Sequence, residues 1–100
     1  MRGTVIDKIR RRLGLSHDEF ARLLGIALST SYRWAASRGE LKMDPFHTKL
    51  LGYIQREVLR WAAPKRDEVI ARIRRALESD PKDGTLMALS ALLGGLFRQQ

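Results

Sequence analysis

The sequence predicts an all-α fold: five to six helices, arranged as a head followed by a C-terminal helical hairpin. Three observations carry that reading. Apolar residues recur at three- and four-residue spacing through most of the chain. Start and stop signals for helices punctuate that pattern at short intervals. No stretch alternates with period two for long enough to argue a strand.

Val5, Ile6, Ile9 and Leu13 form one face of a first helix, expected over Thr4 to Leu13, with Lys8, Arg10, Arg11 and Arg12 opposite. Gly14 ends it. Ser16 stands three residues before Glu19, a capping box that opens a second, two-turn helix carrying Phe20, Ala21, Leu23 and Leu24. Gly25 closes this helix, and a third is expected from Leu28 to Ser37. Glu40 to Met43 reads as a loop. Asp44-Pro45 then opens a fourth helix, proline being at home in a first turn. Its period runs through Phe46, Leu50, Leu51, Ile54, Val58 and Trp61, with a bend allowed at Gly52. Pro64 punctuates the chain, and Asp67 to Ser79 reads as a fifth helix with Val69, Ile70, Ile73 and Leu77 on one face. Asp80 to Gly84 is dense in turn residues, after which Thr85 is expected to cap a last helix running to Phe97. These elements divide the chain into a head, residues 1–63, and a hairpin, residues 64–100.

One hundred residues allow one modest core. The absence of cysteine excludes disulfides, thiolate metal sites and cysteine nucleophiles together. The longest nearly apolar run, Leu86 to Phe97, falls short of the roughly 20 residues a membrane helix needs. With no basic-then-apolar opening segment, a cytoplasmic location is the default expectation. The two histidines, His17 and His47, are far apart, and His17-Asp18-Glu19 lacks the spacing that puts metal ligands on one helix face. No phosphate loop or nucleophile motif is present, so no enzyme, catalytic residue, metal or cofactor is expected. Net charge points elsewhere: +8, with a net of +6 carried by residues 1–63, implies a polyanionic partner, nucleic acid first.

Two short helices joined at Gly25 suggest a helix-turn-helix. Ala21 is small enough for close crossing, and Ile26 and Trp34 supply apolar bulk beneath it. The segment from Leu13 to Trp34 resembles the Cro/Xre-type helix-turn-helix family of phage and bacterial repressors. The resemblance lies in Leu15-Ser16, Glu19, Phe20-Ala21, Leu24-Gly25-Ile26, Ser29-Thr30 and Arg33-Trp34, and extends over Thr4 to Val58. It implies that the third helix enters the major groove, with Leu28, Ser29, Tyr32 and Arg33 facing bases and Thr30 at the margin. Ser16 and His17 would then stand at a phosphate, and Arg38 and Lys42 would hold flanking phosphates. The chain departs from the family at His17 and Leu28, where polar residues are common, at Ala27, where a cap serine is usual, at Ser31, usually aliphatic, and at Ala35-Ala36-Ser37.

The last helix is apolar around most of its circumference, which calls for a covering partner. A homodimer is expected, with Leu89, Ala91, Leu92, Leu93, Gly94, Leu96 and Phe97 at the interface. It would space two recognition helices about one DNA turn, roughly 34 Å, on a near-palindromic site. The expected function is sequence-specific regulation of transcription on double-stranded DNA, most simply repression. Two alternatives stand beside it: an antitoxin-type autoregulator whose C-terminal helices hold a partner protein, and a nucleoid-type binder of low specificity.

Overall fold

The computed structural model describes residues 1–79 and 84–97, with side chains described as far as Leu93. Six α-helices follow one another with no strand among the described residues: α1 (Gly3–Leu13), α2 (His17–Leu24), α3 (Leu28–Ala36), α4 (Pro45–Arg56), α5 (Ala63–Ser79) and α6 (Gly84–Phe97). None is long and apolar enough to cross a membrane.

The first three helices form where their caps and apolar faces dictate. The Ser16 hydroxyl accepts from the Glu19 amide at 3.1 Å, and the Glu19 carboxylate accepts from the Ser16 amide at 2.9 Å. Gly14 and Gly25 close α1 and α2; Gly25 takes φ 68°, left-handed backbone that glycine adopts without steric cost, and so turns the chain sharply into α3. Gly3 answers a different demand. A Cβ there would lie 2.1 Å from the Trp34 carbonyl oxygen, so its bare backbone is what lets α1 approach the end of α3. The loop after α3 is tied down as well: Leu41 N–H donates to the Met1 carbonyl at 3.1 Å, and the terminal ammonium pairs with Glu40 at 2.7 Å.

Several boundaries differ from expectation, each for a physical reason. The fourth helix does not run on to Trp61; it ends at Arg56, and Val58–Arg60 forms a single 3₁₀ turn. That tighter winding carries both Val58 and its neighbour Leu59 into the core. Phe46, expected on the buried face, is 51% exposed, and the next residue, His47, turns inward instead. α5 begins at Ala63, four residues early, because Pro64 in the first turn forfeits no helical hydrogen bond. Thr85 lies inside α6 rather than capping it, and its hydroxyl donates to the Arg22 carbonyl near the end of α2. The turn expected at Asp80 to Asp83 lies outside the described residues.

The core does not stop at residue 63. Ile6, Ile9, Leu13, Phe20, Leu23, Leu51 and Ile54 from the head are continuous with Ile73, Leu77, Ala88 and Leu92 from the hairpin. Polar ties reinforce the junction. Arg74 donates to Glu19 at 2.9 Å and to the Gly14 carbonyl, and Arg22 donates to the Leu77 carbonyl. Leu92, expected at a dimer contact, is therefore fully buried against its own chain and is withdrawn from any interface.

Candidate nucleic-acid interface

α3 divides cleanly into two sides. Ser31 and Trp34 are buried, while Leu28, Ser29, Tyr32 and Arg33 are exposed and Thr30 is half-buried between them. Leu28 and Tyr32 are one turn apart, as are Ser29 and Arg33, so the open side carries an apolar stripe beside a polar one. Both apolar members are well exposed, Leu28 at 43% and Tyr32 at 56%. The five residues expected to face bases thus share one surface.

His17 does not stand free at the start of α2. Its Nδ1 shares a 2.8 Å hydrogen bond with the hydroxyl of buried Ser31, and its ring stacks on Tyr32, centroids 4.1 Å apart and planes 30° from parallel. Burial pushes the His17 ring below its ordinary value, and nearby Arg10 pushes the same way against the opposing pull of Asp7. Its Nδ1 is turned toward Ser31 rather than left open at the start of α2. The departure at position 31 now has a reason, since a hydroxyl there gives the imidazole its partner.

The run Arg10-Arg11-Arg12 is not a uniform solvated face. Arg10 and Arg11 converge on Asp7 with contacts of 3.0 and 2.6 Å, and Arg10 also donates to the Leu15 carbonyl at 2.8 Å. Burial opposes ionisation of Asp7, but the two guanidiniums outweigh it and hold its carboxyl below the usual carboxylate range. Arg12 stays exposed. Glu19 is similar in kind: burial raises it, while the Ser16 amide and Arg74 outweigh that and lower it. Arg72 pairs with Glu68 at 2.8 Å, as a solvent-facing helix pair should, but Arg74 reaches back to α2 instead.

Arg33, Arg38 and Lys42 are exposed and make no ion pair among the described residues. Ser16 is exposed too, although its hydroxyl is engaged in the capping box.

His47 is a residue whose part the sequence did not disclose. Its Nε2 donates to the Leu24 carbonyl at 2.7 Å, at the C-terminus of α2, while Nδ1 faces the Asp44 carboxylate. The His47 ring in turn holds the Asp44 carboxyl below its ordinary range. The ring also meets Trp34 edge-on at 6.2 Å, so one side chain braces α2, α3 and α4 around the turn. An Asp-x-x-His sequence at a helix start is the signal that could have found it.

On α6, Leu86 and Met87 are exposed at 66% and 49%, Leu89, Ala91 and Leu93 are half-buried, and Ala88 and Leu92 are fully inside. Adjoining hollows of about 220 and 300 Å³ share Phe46 and Leu93 between α4 and α6. The surroundings of Gly94, Leu96 and Phe97, expected at the same interface, lie beyond Leu93 and outside what is described. No protein-family model matches the chain, and neither does any curated protein or solved structure.

Proposed function

We propose that this chain is a sequence-specific DNA-binding regulator of transcription of the Cro/Xre type, acting as a homodimer through operator occupancy without chemistry. The observation that carries the reading is the two-sided α3: an outward side of Leu28, Ser29, Tyr32 and Arg33, set across α2 by the left-handed turn at Gly25. Short polar, apolar and guanidinium groups on one helix side suit the donors, acceptors and methyls of a major groove. Arg38 and Lys42 add the unpaired cations that neutralise flanking phosphates, a term that sets affinity without reading sequence. Repression follows from occupancy alone, since a bound dimer excludes other proteins from the same DNA.

The experiment is selection of bound duplexes from a random pool. Enrichment of a near-palindrome supports the regulator; enrichment of nothing overturns it in favour of a low-specificity binder. One observation favours a second reading. Exposed Leu86 beside the hollow at Phe46, and exposed Met87 toward α5, give α6 an apolar surface that fits a partner protein as well as a second copy. Under that reading the chain is an autoregulating antitoxin. Co-purification of a different polypeptide in fixed proportion would support it over the homodimer.

A further inference from the structure

Tyr32 is the largest exposed side chain on the outward side of α3, and in isolation its ring would swing between rotamers. Here it lies against the His17 ring, and His17 is itself fixed by Ser31, whose hydroxyl is buried in the same helix that carries Tyr32. The chain of contacts closes on itself: α3 holds His17 through Ser31, and His17 holds Tyr32 back against α2. With Tyr32 fixed, Leu28 one turn earlier completes an apolar strip parallel to Ser29 and Arg33.

We propose that His17 is a positioning residue that locks Tyr32, so that Leu28 and Tyr32 form a fixed apolar strip reading thymine 5-methyl groups beside the base contacted by Arg33. This rests on the reading of α3 as the helix that enters the major groove. Three facts favour methyl groups over other features of DNA. Leu28 has no hydrogen-bonding side-chain atom, so apolar contact is all it offers a base edge, and the thymine methyl is the apolar group the major groove presents. The stack turns one face of the Tyr32 ring to His17, leaving the other face and the edge for a ligand. His17 gives its Nδ1 to Ser31, so its side chain is committed to holding rather than contacting.

The test compares duplexes of the selected site, one with thymine and one with deoxyuridine at each position next to the Arg33-dependent base. Loss of a buried methyl should weaken the wild-type protein about fourfold per effective position, the factor that burying one such group confers. H17Q keeps a polar partner for Ser31 and removes the ring; it should bring the thymine-to-uracil ratio close to one while leaving Arg33-dependent discrimination in place. H17F restores a ring to stack on and should restore the ratio. A wild-type ratio of one at every position, or an H17Q ratio equal to wild type, would overturn the inference while leaving DNA recognition intact. Failure to enrich any site would instead remove the underlying reading. Should H17Q unfold, nuclear Overhauser contacts between the His17 and Tyr32 rings in the unaltered protein decide, and their absence would overturn the inference as well.

Discussion

Arg33 stands on the exposed side of α3, one turn beyond Ser29 and unpaired among the described residues, a placement that lets a guanidinium take both acceptors of a guanine edge. Arg33→Ala is expected to cost about 1–3 kcal/mol on the selected site and to relax preference at one base pair. Equal weakening on random DNA, measured by titration, would reassign Arg33 to the backbone. His17 yields a prediction of opposite kind. Its ring is lowered in the folded chain by burial and by Arg10, so below its ordinary value of 6.5 the unfolded chain binds the proton more readily. Stability conferred by the neutral ring is therefore full above about pH 6.5 and is lost as pH falls into the window beneath it. Thermal melts between about pH 7.5 and 5.5 should show this decline, and His17→Gln should flatten it. Identical slopes in the two proteins would assign the titration to another group. The sequence exposed His17 as a departure from a pattern but not its partner, because Ser31 and Tyr32 lie 14 and 15 positions later and meet it only through the crossing of α2 and α3. Arg33 needed no such crossing to be found, since helical spacing from Trp34 alone puts it outside.

Helix boundaries set by local signals were legible in the sequence. Ser16, Asp44, Gly14 and Gly25 act through neighbours within a few positions, so α1, α2 and the start of α4 were legible. The end of α4 was not, because Val58 and Trp61 keep helical spacing while the backbone tightens beneath them to bury Leu59. Gly3 was equally silent, its purpose being to make room for α3. Gly3→Ala would set a methyl against backbone oxygens of Trp34 and Ser37, at 2.1 and 2.5 Å, and should destabilise the fold by about 1–3 kcal/mol, read from chemical denaturation. An unchanged midpoint would mean that α1 shifts freely. The loop after α3 carries a separate expectation. Removing Arg38 or Lys42 should lower the slope of log affinity against log salt by roughly one unit each. Unchanged slopes in both variants would take this loop out of contact with phosphate.

Taken whole, the chain resists the division its sequence suggested. Pro64 looked like a boundary, but Leu77, Ala88 and Leu92 share a core with Phe20 and Leu23. Periodicity could show that α6 is apolar all round; it could not show that the head would supply one of its partners. Leu92 and Met87 now separate in expectation. Leu92→Ala should cost about 2–5 kcal/mol in stability and leave the oligomeric state unchanged where the protein stays folded. Met87→Lys, on the open side, should leave stability nearly intact and halve the mass seen by light scattering. A wild-type monomer at tens of micromolar, a concentration well above the Kd of a stable dimer, would remove the homodimer.

The bonds from Arg22 to Leu77, from Thr85 to Arg22 and from Arg74 to Glu19 join positions more than fifty residues apart in the chain. A ribosome releases the first three helices well before α6 exists, and during that interval Phe20, Leu23 and Leu24 lack the wall that later covers them. The side of α2 that supports the turn into α3 is thus completed last. A nascent polypeptide cannot assemble the finished surface before α6 has joined it, and a premature stop within α6 yields an unfinished head rather than a free one.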